Sequence, residues 1–293
     1  MGDDVSADRV GLAVTTEPGR TDGRLGYTSA RADEDVNDME NRTVALSGDL
    51  GSGKSSVAGL LAEALGARQV STGAAQRQIA AQRGISTLEL NRQAEVDPSI
   101  DDEIDSVFRS LAESIEPLVV DSRLAWHFLP AAVKVHLVVD PEVAAARVLQ
   151  REATRAERYG SAAEALQHIG DRADSERRRF QQIYGVDIFK LANYDLVVDT
   201  STASPDEVAR AVLDHLAAPG ARGPAVLLDP QRVRSIPDEE DDGPTSGPVA
   251  VVYRRPTFTV VGGRRELAAA RRLGLSLAPA VLQAEEDLPV SGP

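Results

Sequence analysis

The chain contains no cysteine. Disulfides, thiolate metal centres and cysteine nucleophiles are thereby excluded, and the composition suits a reducing compartment. Aromatic residues make up only 4% of the sequence, so a core has to be assembled from Ala, Val, Leu and Ile. Positive charge is also in short supply. Against 46 Asp and Glu there are 32 Lys and Arg, a formal net charge of −14. That balance repels a phosphate backbone, so DNA binding is not expected, although a local basic patch can still hold one small anion. No apolar run approaches the roughly 20 residues of a membrane helix. The opening "MGDDVSADRV" is acidic, unlike a signal peptide. The expectation is a soluble, cytoplasmic protein with no membrane partner.

The 293 residues have room for one large or two modest domains. Residues 1–41 are acidic and rich in Gly, Ser, Thr and Asp without sustained periodicity, which predicts a disordered extension. From 42 to 217 short Val/Leu-rich runs alternate with helical patterns. The runs "TVALSG" (43–48), "ARQVS" (67–71), "PLVVDS" (117–122), "KVHLVVD" (134–140) and "DLVVDT" (195–200) suit strands buried on both faces of a parallel sheet. Helical patterns fall at 54–66, 73–83, 101–115, 141–152 and 171–184, giving a three-layer α/β domain. A linker is expected at 218–223. Beyond it, 224–293 reads as a small α+β module, with strands at "VAVVY" and "FTVVGG", a helix at 264–274 and a last apolar run near "LAPAVL".

The sharpest motif is Gly48-Asp49-Leu50-Gly51-Ser52-Gly53-Lys54-Ser55, which satisfies G-x-x-x-x-G-K-[ST] with a strand before it and a helix after it. Glycines let successive backbone N–H groups converge, and the helix N-terminus adds positive potential, so such a loop wraps a phosphate. Lys54 is expected to reach the β- and γ-phosphates of a nucleoside triphosphate, and the Ser55 hydroxyl to ligate Mg²⁺.

Three further places bear on what receives the phosphate. Asp121 and Arg123 end the strand "VVDSR", at the carboxyl edge where open α/β sheets bind ligands. Asp121 either holds Mg²⁺, meets an acceptor or caps the next helix. In "STGAAQRQIA" (71–80), Gly73 frees the backbone, and Arg77 either forks onto a monophosphate or is a solvated surface arginine. In "RADSERRRF" (172–180), Arg172 and Arg179 lie seven apart on one helix face. They suit a lid that closes over the transferring group, with a Gly- and Ala-bearing segment at 153–170 before it. The plainer alternative is a solvated helix salt-bridged through Asp174 and Glu176.

Residues 44–201 resemble the short, archaeal-type cytidylate kinases of the P-loop nucleoside monophosphate kinase superfamily. The resemblance rests on "SGDLGSGKSS", "STG...R", "NRQAEVDPSIDDEID", "VVDSRLAWHF", "RADSERRRFQQIYGVDI" and "YDLVVDTS", in that order. It implies a P-loop NTPase fold with a five-stranded parallel sheet, and transfer of the ATP γ-phosphate to CMP or dCMP with Mg²⁺. It further implies that Gly48 to Ser56 bind ATP and that Arg77 and Arg123 contact the acceptor phosphate. Asp121 would lie at the acceptor or the metal, Asp101 and Asp105 would shape the base pocket, and Arg172 and Arg179 would stabilise the transferring group. This sequence departs from the family pattern at Ala74-Ala75, beside Arg77, and at Ser122, where "DGR" is usual. Those departures leave open a modified nucleotide or another small acceptor, and a nucleotide sensor without turnover is the reading from a different class.

More weakly, "VVGGRRELAAARRLGLSLAPAVL" (260–282) resembles the ParB/sulfiredoxin-like fold, with "VLLDPQRVRSI" (226–236) as its first strand and helix. Gly262 to Arg265 fits the Gly-x-x-Arg spacing, whereas starting at Gly263 places Glu266 at the arginine position. The resemblance leaves three readings of the C-terminal module: a second nucleotide bound there, kinase activity towards a small hydroxyl compound, or a degenerate scaffold. Sulfiredoxin chemistry is excluded because it needs a cysteine.

Overall fold

The computed structural model describes residues 43–85, 87–94, 97, 105–106, 108–109, 111–112, 114–152, 160–218, 225–235 and 248–283. The expectations for 1–41, for Asp101 and for most of the 218–223 linker lie outside them.

Five strands form where the Val/Leu-rich runs predicted them: β1 (Val44–Gly48), β2 (Arg68–Ser71), β3 (Leu118–Asp121), β4 (Val133–Val138) and β5 (Leu196–Asp199). They pair in parallel in the order β2-β3-β1-β4-β5. The inner strands lack a polar alternation because both of their faces are covered, whereas the edge strand β2 keeps Arg68 and Gln69 exposed. On one face Ala45, Leu118 and Val120 pack with Leu124, Phe108 and Ile188. On the other, Val44, Leu46, Val119 and Leu137 pack with Val57, Leu61 and Val212.

The connecting helices are α1 (Lys54–Ala64), α2 (Thr72–Arg83), α3 (Thr87–Ala94), α4 (Ala125–Phe128), α5 (Pro141–Glu152), α6 (Ala162–Tyr184) and α7 (Pro205–Ala217). Two of them have side-chain N-caps. For α7, Ser204 accepts from the Glu207 N–H while Glu207 accepts from the Ser204 N–H, and Pro205 occupies the first turn. For α6, the Ser161 hydroxyl accepts from the Glu164 N–H, and Ala165, Ile169, Ala173 and Phe180 form its buried stripe. This helix corrects one expectation. Residues 162–170, read as part of a lid segment, are helical, because that cap and stripe extend the arginine-bearing helix toward its N-terminus.

The C-terminal residues depart further from expectation. Strands β6 (Ala225–Leu228), β7 (Val249–Arg254), β8 (Thr257–Gly262) and β9 (Ala278–Leu282), with helix α8 (Arg264–Arg272), do not build a sheet of their own. They prolong the first sheet to nine strands, β2-β3-β1-β4-β5-β6-β9-β7-β8. β6 runs parallel to β5, β9 antiparallel to β6, and β7 parallel to β9. A separate C-terminal α+β unit is therefore not distinguished. The open edge of β5 would leave a row of unpaired backbone groups, and β6 satisfies it. Burial then continues across the junction: Val138, Tyr194 and Val197 share one cluster with Val226, Val251, Phe258 and Leu267. The helix expected within 226–236 is a turn, closed by Asp229, whose carboxylate accepts from the Gln231 N–H at 2.8 Å. Arg234 then bridges to β8 by donating its N–H to the Phe258 carbonyl.

Candidate active site

The turn between β1 and α1 has the backbone its glycines predict. Gly51 and Gly53 both have φ of 82°, the left-handed region that glycine tolerates. A Cβ at Gly51 would also lie 2.8 Å from the Ala144 Cα, so α5 leaves no space for a side chain there. The Asp49 N–H donates to the Leu137 carbonyl at 2.9 Å, fixing the loop to β4. Ser52 closes the turn by donating its hydroxyl to the Asp49 carbonyl at 2.8 Å. The Lys54 ammonium folds back over the loop, donating to the carbonyls of Gly48 at 2.9 Å and Asp49 at 3.1 Å. Burial, followed by the nearby Arg123 charge, lowers Lys54 to about 8. A bound phosphate would replace the missing counter-charge.

Asp121 lies directly beside this loop. Its carboxylate accepts from the Ser55 hydroxyl at 3.0 Å, joining the end of β3 to the first turn of α1. Of the alternatives for Asp121, the helix cap is not made: the N-cap of α4 is Leu124, without a side-chain cap, and the Ser122 hydroxyl accepts from the Leu124 N–H at 3.3 Å in the turn before it. Ser55 and Asp121 together offer two hard oxygen donors, a fit for Mg²⁺ whose other ligands come from phosphates and water. Among the described residues, no group of three or more His, Asp or Glu could hold a metal alone.

The arginines expected on the lid and at the acceptor converge in part. Glu176 on α6 pairs with Arg123 after β3 and also with Arg172, the latter at 3.0 Å. Arg172 and Arg123 therefore share one carboxylate beside the P-loop. Burial first, and Arg172 next, press the Arg123 guanidinium downward. The pair expected between Arg172 and Glu176 exists, but Glu176 is largely covered rather than solvated. Arg179 lies farther along the same helix, its guanidinium 5.2 Å above the Phe180 ring. Asp105 accepts from the Tyr184 hydroxyl at 2.9 Å, tying the insertion to the C-terminal end of α6. Gly73 and Arg77 stand in α2, which follows β2. The Arg77 side chain lies outside the described residues.

Several contributors carried no sequence signal. Arg147 on α5 donates to the carbonyls of Gly51, Thr200 and Ser201, at 3.4, 2.7 and 3.3 Å, and joins the P-loop to the loop after β5. Between them lies a cleft of about 290 Å³, bordered by Ser52, Gly53, Arg147, Thr200 and Pro205. It adjoins the start of α1, where Ser56 and Val57 also line it. Beneath the loop, His136 on β4 packs against Tyr194 with ring centroids 4.5 Å apart, and burial lowers it to about 4. Arg255, at the turn between β7 and β8, also reaches the P-loop.

These features together form a glycine-rich loop between strand and helix, an arginine pair beside it and an adjoining cleft of about 290 Å³. The model of the Cytidylate kinase-like family matches residues 43–202. This chain belongs to that family. The cytidylate kinase of Methanothrix thermoacetophila is 42% identical over 157 residues, 54% of this chain and 87% of that protein. The cytidylate kinase of Pyrococcus furiosus is 36% identical over 184 residues, 61% of this chain and 92% of its own length. An S-adenosylmethionine-dependent nucleotide dehydratase of Lacinutrix mariniflava is 39% identical over 173 residues, which is 35% of that longer protein. Among solved structures, an uncharacterized protein from Eubacterium ventriosum aligns with a TM-score of 0.48 at 17% identity, covering 60% of this chain and 99% of that one. By its family match, this cytidylate kinase-like chain stands among the P-loop small-molecule kinases. The family match ends at residue 202, so it lends no support to a ParB/sulfiredoxin-like C-terminal segment.

Proposed function

We propose that the chain is an ATP-dependent phosphotransferase acting on a small phosphate-bearing acceptor of the nucleotide class. The observation that carries this reading is the convergence of Lys54, Arg123 and Arg172 on one side of the P-loop. A hydrolytic switch has no need of a second cationic site, whereas a kinase must hold two phosphates close together against their mutual repulsion.

In this mechanism the P-loop backbone and Lys54 bind the ATP β- and γ-phosphates, with the nucleoside in the cleft beside Arg147. Arg123 binds the acceptor phosphate, joined by Arg77 from α2. Arg172, with Arg179 farther along α6, supplies charge to the equatorial oxygens of the transferring group. An acceptor phosphate oxygen forms the new bond to the γ-phosphorus, the bond to the β-bridging oxygen breaks, and ADP leaves. Ser55 and Asp121 would hold Mg²⁺, which supplies neutralising charge at the β- and γ-oxygens. Asp105, with Asp101, would border the acceptor base. Glu176 occupies Arg123 and Arg172 in the free protein, so acceptor binding exchanges one carboxylate for a phosphate.

CMP and dCMP are the natural first acceptors because of the family. Ser122 and Ala74-Ala75 favour a modified cytidine nucleotide or another small acceptor in their place, since they alter the pocket beside Arg123 and Arg77. A second nucleotide site at the C-terminal segment remains a separate proposal. The experiment is ADP release from ATP and Mg²⁺ with CMP, dCMP, UMP, AMP and phosphorylated analogues. Turnover dependent on one acceptor and lost in Lys54→Ala is expected. ADP release at the same rate with every acceptor or none would contradict it.

A further inference from the structure

The tip of the β7–β8 hairpin lies far from the P-loop in sequence and beside it in space. Arg232 fixes it there. One guanidinium nitrogen pairs with Asp199, at the end of β5, at 2.7 Å, and another donates to the Pro256 carbonyl at 3.0 Å. A third nitrogen lies 3.7 Å from Asp140, at the end of β4. The hairpin turn is thus anchored over the carboxyl edge of the sheet, where ligands of such folds bind.

That anchoring places Arg255 at the mouth of the loop. Its guanidinium carbon stands 3.8 Å from the centroid of the Phe189 ring, a stacking geometry that fixes the plane of the head group. One of its nitrogens approaches the Asp49 carboxylate at 3.6 Å, too far for a hydrogen bond. Asp49 is the residue whose carbonyl receives Lys54. Among the described residues the Arg255 guanidinium makes this ion pair and this stack but donates no hydrogen bond. A planar fork, held rigid and with its donors uncommitted, is suited to oxygens of a phosphate. Its field also reaches Arg123, which adds to the depression there. Lys54, Arg123, Arg172 and Arg255 thus lie close enough beside the P-loop for their charges to act on one another, with the carboxylates of Asp49, Asp121 and Glu176 among them. All three carboxylates already have partners: Ser55 for Asp121, the arginines for Glu176, and the Val139 N–H, at 3.4 Å, for Asp49.

We propose that Arg255 is a phosphate-binding residue of the kinase site, supplied within the same chain by the C-terminal hairpin. Its ligand is a phosphoryl oxygen, from the ATP γ-phosphate or from the acceptor. The C-terminal strands then act as part of the catalytic unit, reaching the reacting groups from outside the family-matched residues. The inference rests on the phosphotransferase reading above, but its test does not require turnover.

The full chain is compared with Arg255→Ala and Arg255→Lys by calorimetric titration. The probes are Mg²⁺-ADP, a non-hydrolysable ATP analogue, and inorganic phosphate added to ADP-saturated protein. Arg255→Ala is expected to leave the ADP affinity within about twofold, because the P-loop holds the β-phosphate. A loss of about tenfold or more for the ATP analogue assigns Arg255 to the γ-phosphate, and the same loss for inorganic phosphate assigns it to the acceptor. Arg255→Lys retains part of the affinity in either case. Unchanged affinity for both probes in Arg255→Ala overturns the proposal. So does an equal loss of ADP accompanied by a fall in Tm, which marks a structural clamp. Absence of acceptor-dependent turnover in the unaltered chain would instead sink the phosphotransferase reading and leave these titrations readable.

Discussion

Arg232→Ala should destabilise the protein through a charge left behind, and the structure sets the size of the effect. Asp199 is fully buried, and its carboxyl is raised from the ordinary value by burial, with Arg232 the largest opposing influence. Removing the guanidinium leaves a buried carboxylate with only Ser201 hydrogen bonds. Losing one partner of such a pair costs about 3–5 kcal/mol. The fold can limit this by protonating Asp199, at a cost set by the gap between the solution pH and the ordinary 3.8. That ceiling is about 4 kcal/mol at pH 7 and about 1.5 kcal/mol at pH 5. A carboxyl raised in the fold weighs on stability above its folded pKa, and the burden lifts as pH falls through that value. Urea denaturation of Arg232→Ala should therefore show a loss of about 3 kcal/mol at pH 7 and less than half of that at pH 5. Adding Asp199→Asn should restore much of the loss at pH 7. A loss below about 1 kcal/mol at pH 7, or an equal loss at both pH values, would refute the argument.

Four further outcomes follow from the geometry of the loop and of the arginines beside it. Gly51→Ala places a methyl against the Ala144 backbone at φ 82°, so ADP binding should be lost by calorimetry, with Tm falling by several degrees. Because Lys54 is lowered to about 8, ADP affinity should hold from pH 6 to 8 and then fall by up to about tenfold per pH unit in fluorescence titrations. Its depressed pKa also means that Lys54 weighs on the ligand-free fold below pH 8. This contribution lifts as pH rises toward 10.5, so Lys54→Met should raise Tm at pH 7 without ligand. Glu176→Gln frees Arg123 and Arg172 from a carboxylate, and binding of inorganic phosphate to ADP-loaded protein should tighten several-fold by calorimetry.

The sequence was legible where local chemistry dictates local structure. The run Gly48 to Ser55 specifies a loop because its backbone requirements and its chemistry coincide in adjacent residues. The doubly buried strands read as continuous apolar runs for a similar reason, since neither face needs polar residues. Asp121 and Arg123 could be placed at the sheet edge because strand ends in parallel sheets face the ligand. Arg147 and Arg255 could not be found this way. Each acts across the tertiary fold, and neither has neighbours in the sequence that share its task. The C-terminal strands looked like a separate module because strand propensity says nothing about which edge a strand will join. Val249–Arg254 and Ala278–Leu282 could pair with each other or with β6; they pair with each other, and Ala278–Leu282 alone also joins β6. The helix from Ala162 was missed at its start because its stripe of Ala165, Ile169 and Ala173 is sparse and small.

The central claim is that the γ-phosphate of ATP passes to a second small molecule bound beside Arg123. The most direct test is ³¹P NMR of the full chain with ATP, Mg²⁺ and each acceptor in turn, with Lys54→Ala and Arg123→Ala in parallel. The account predicts loss of the γ resonance together with a new diphosphate pair on one acceptor, absent in both variants. Release of inorganic phosphate alone, unaffected by any acceptor or by Arg123→Ala, would contradict it.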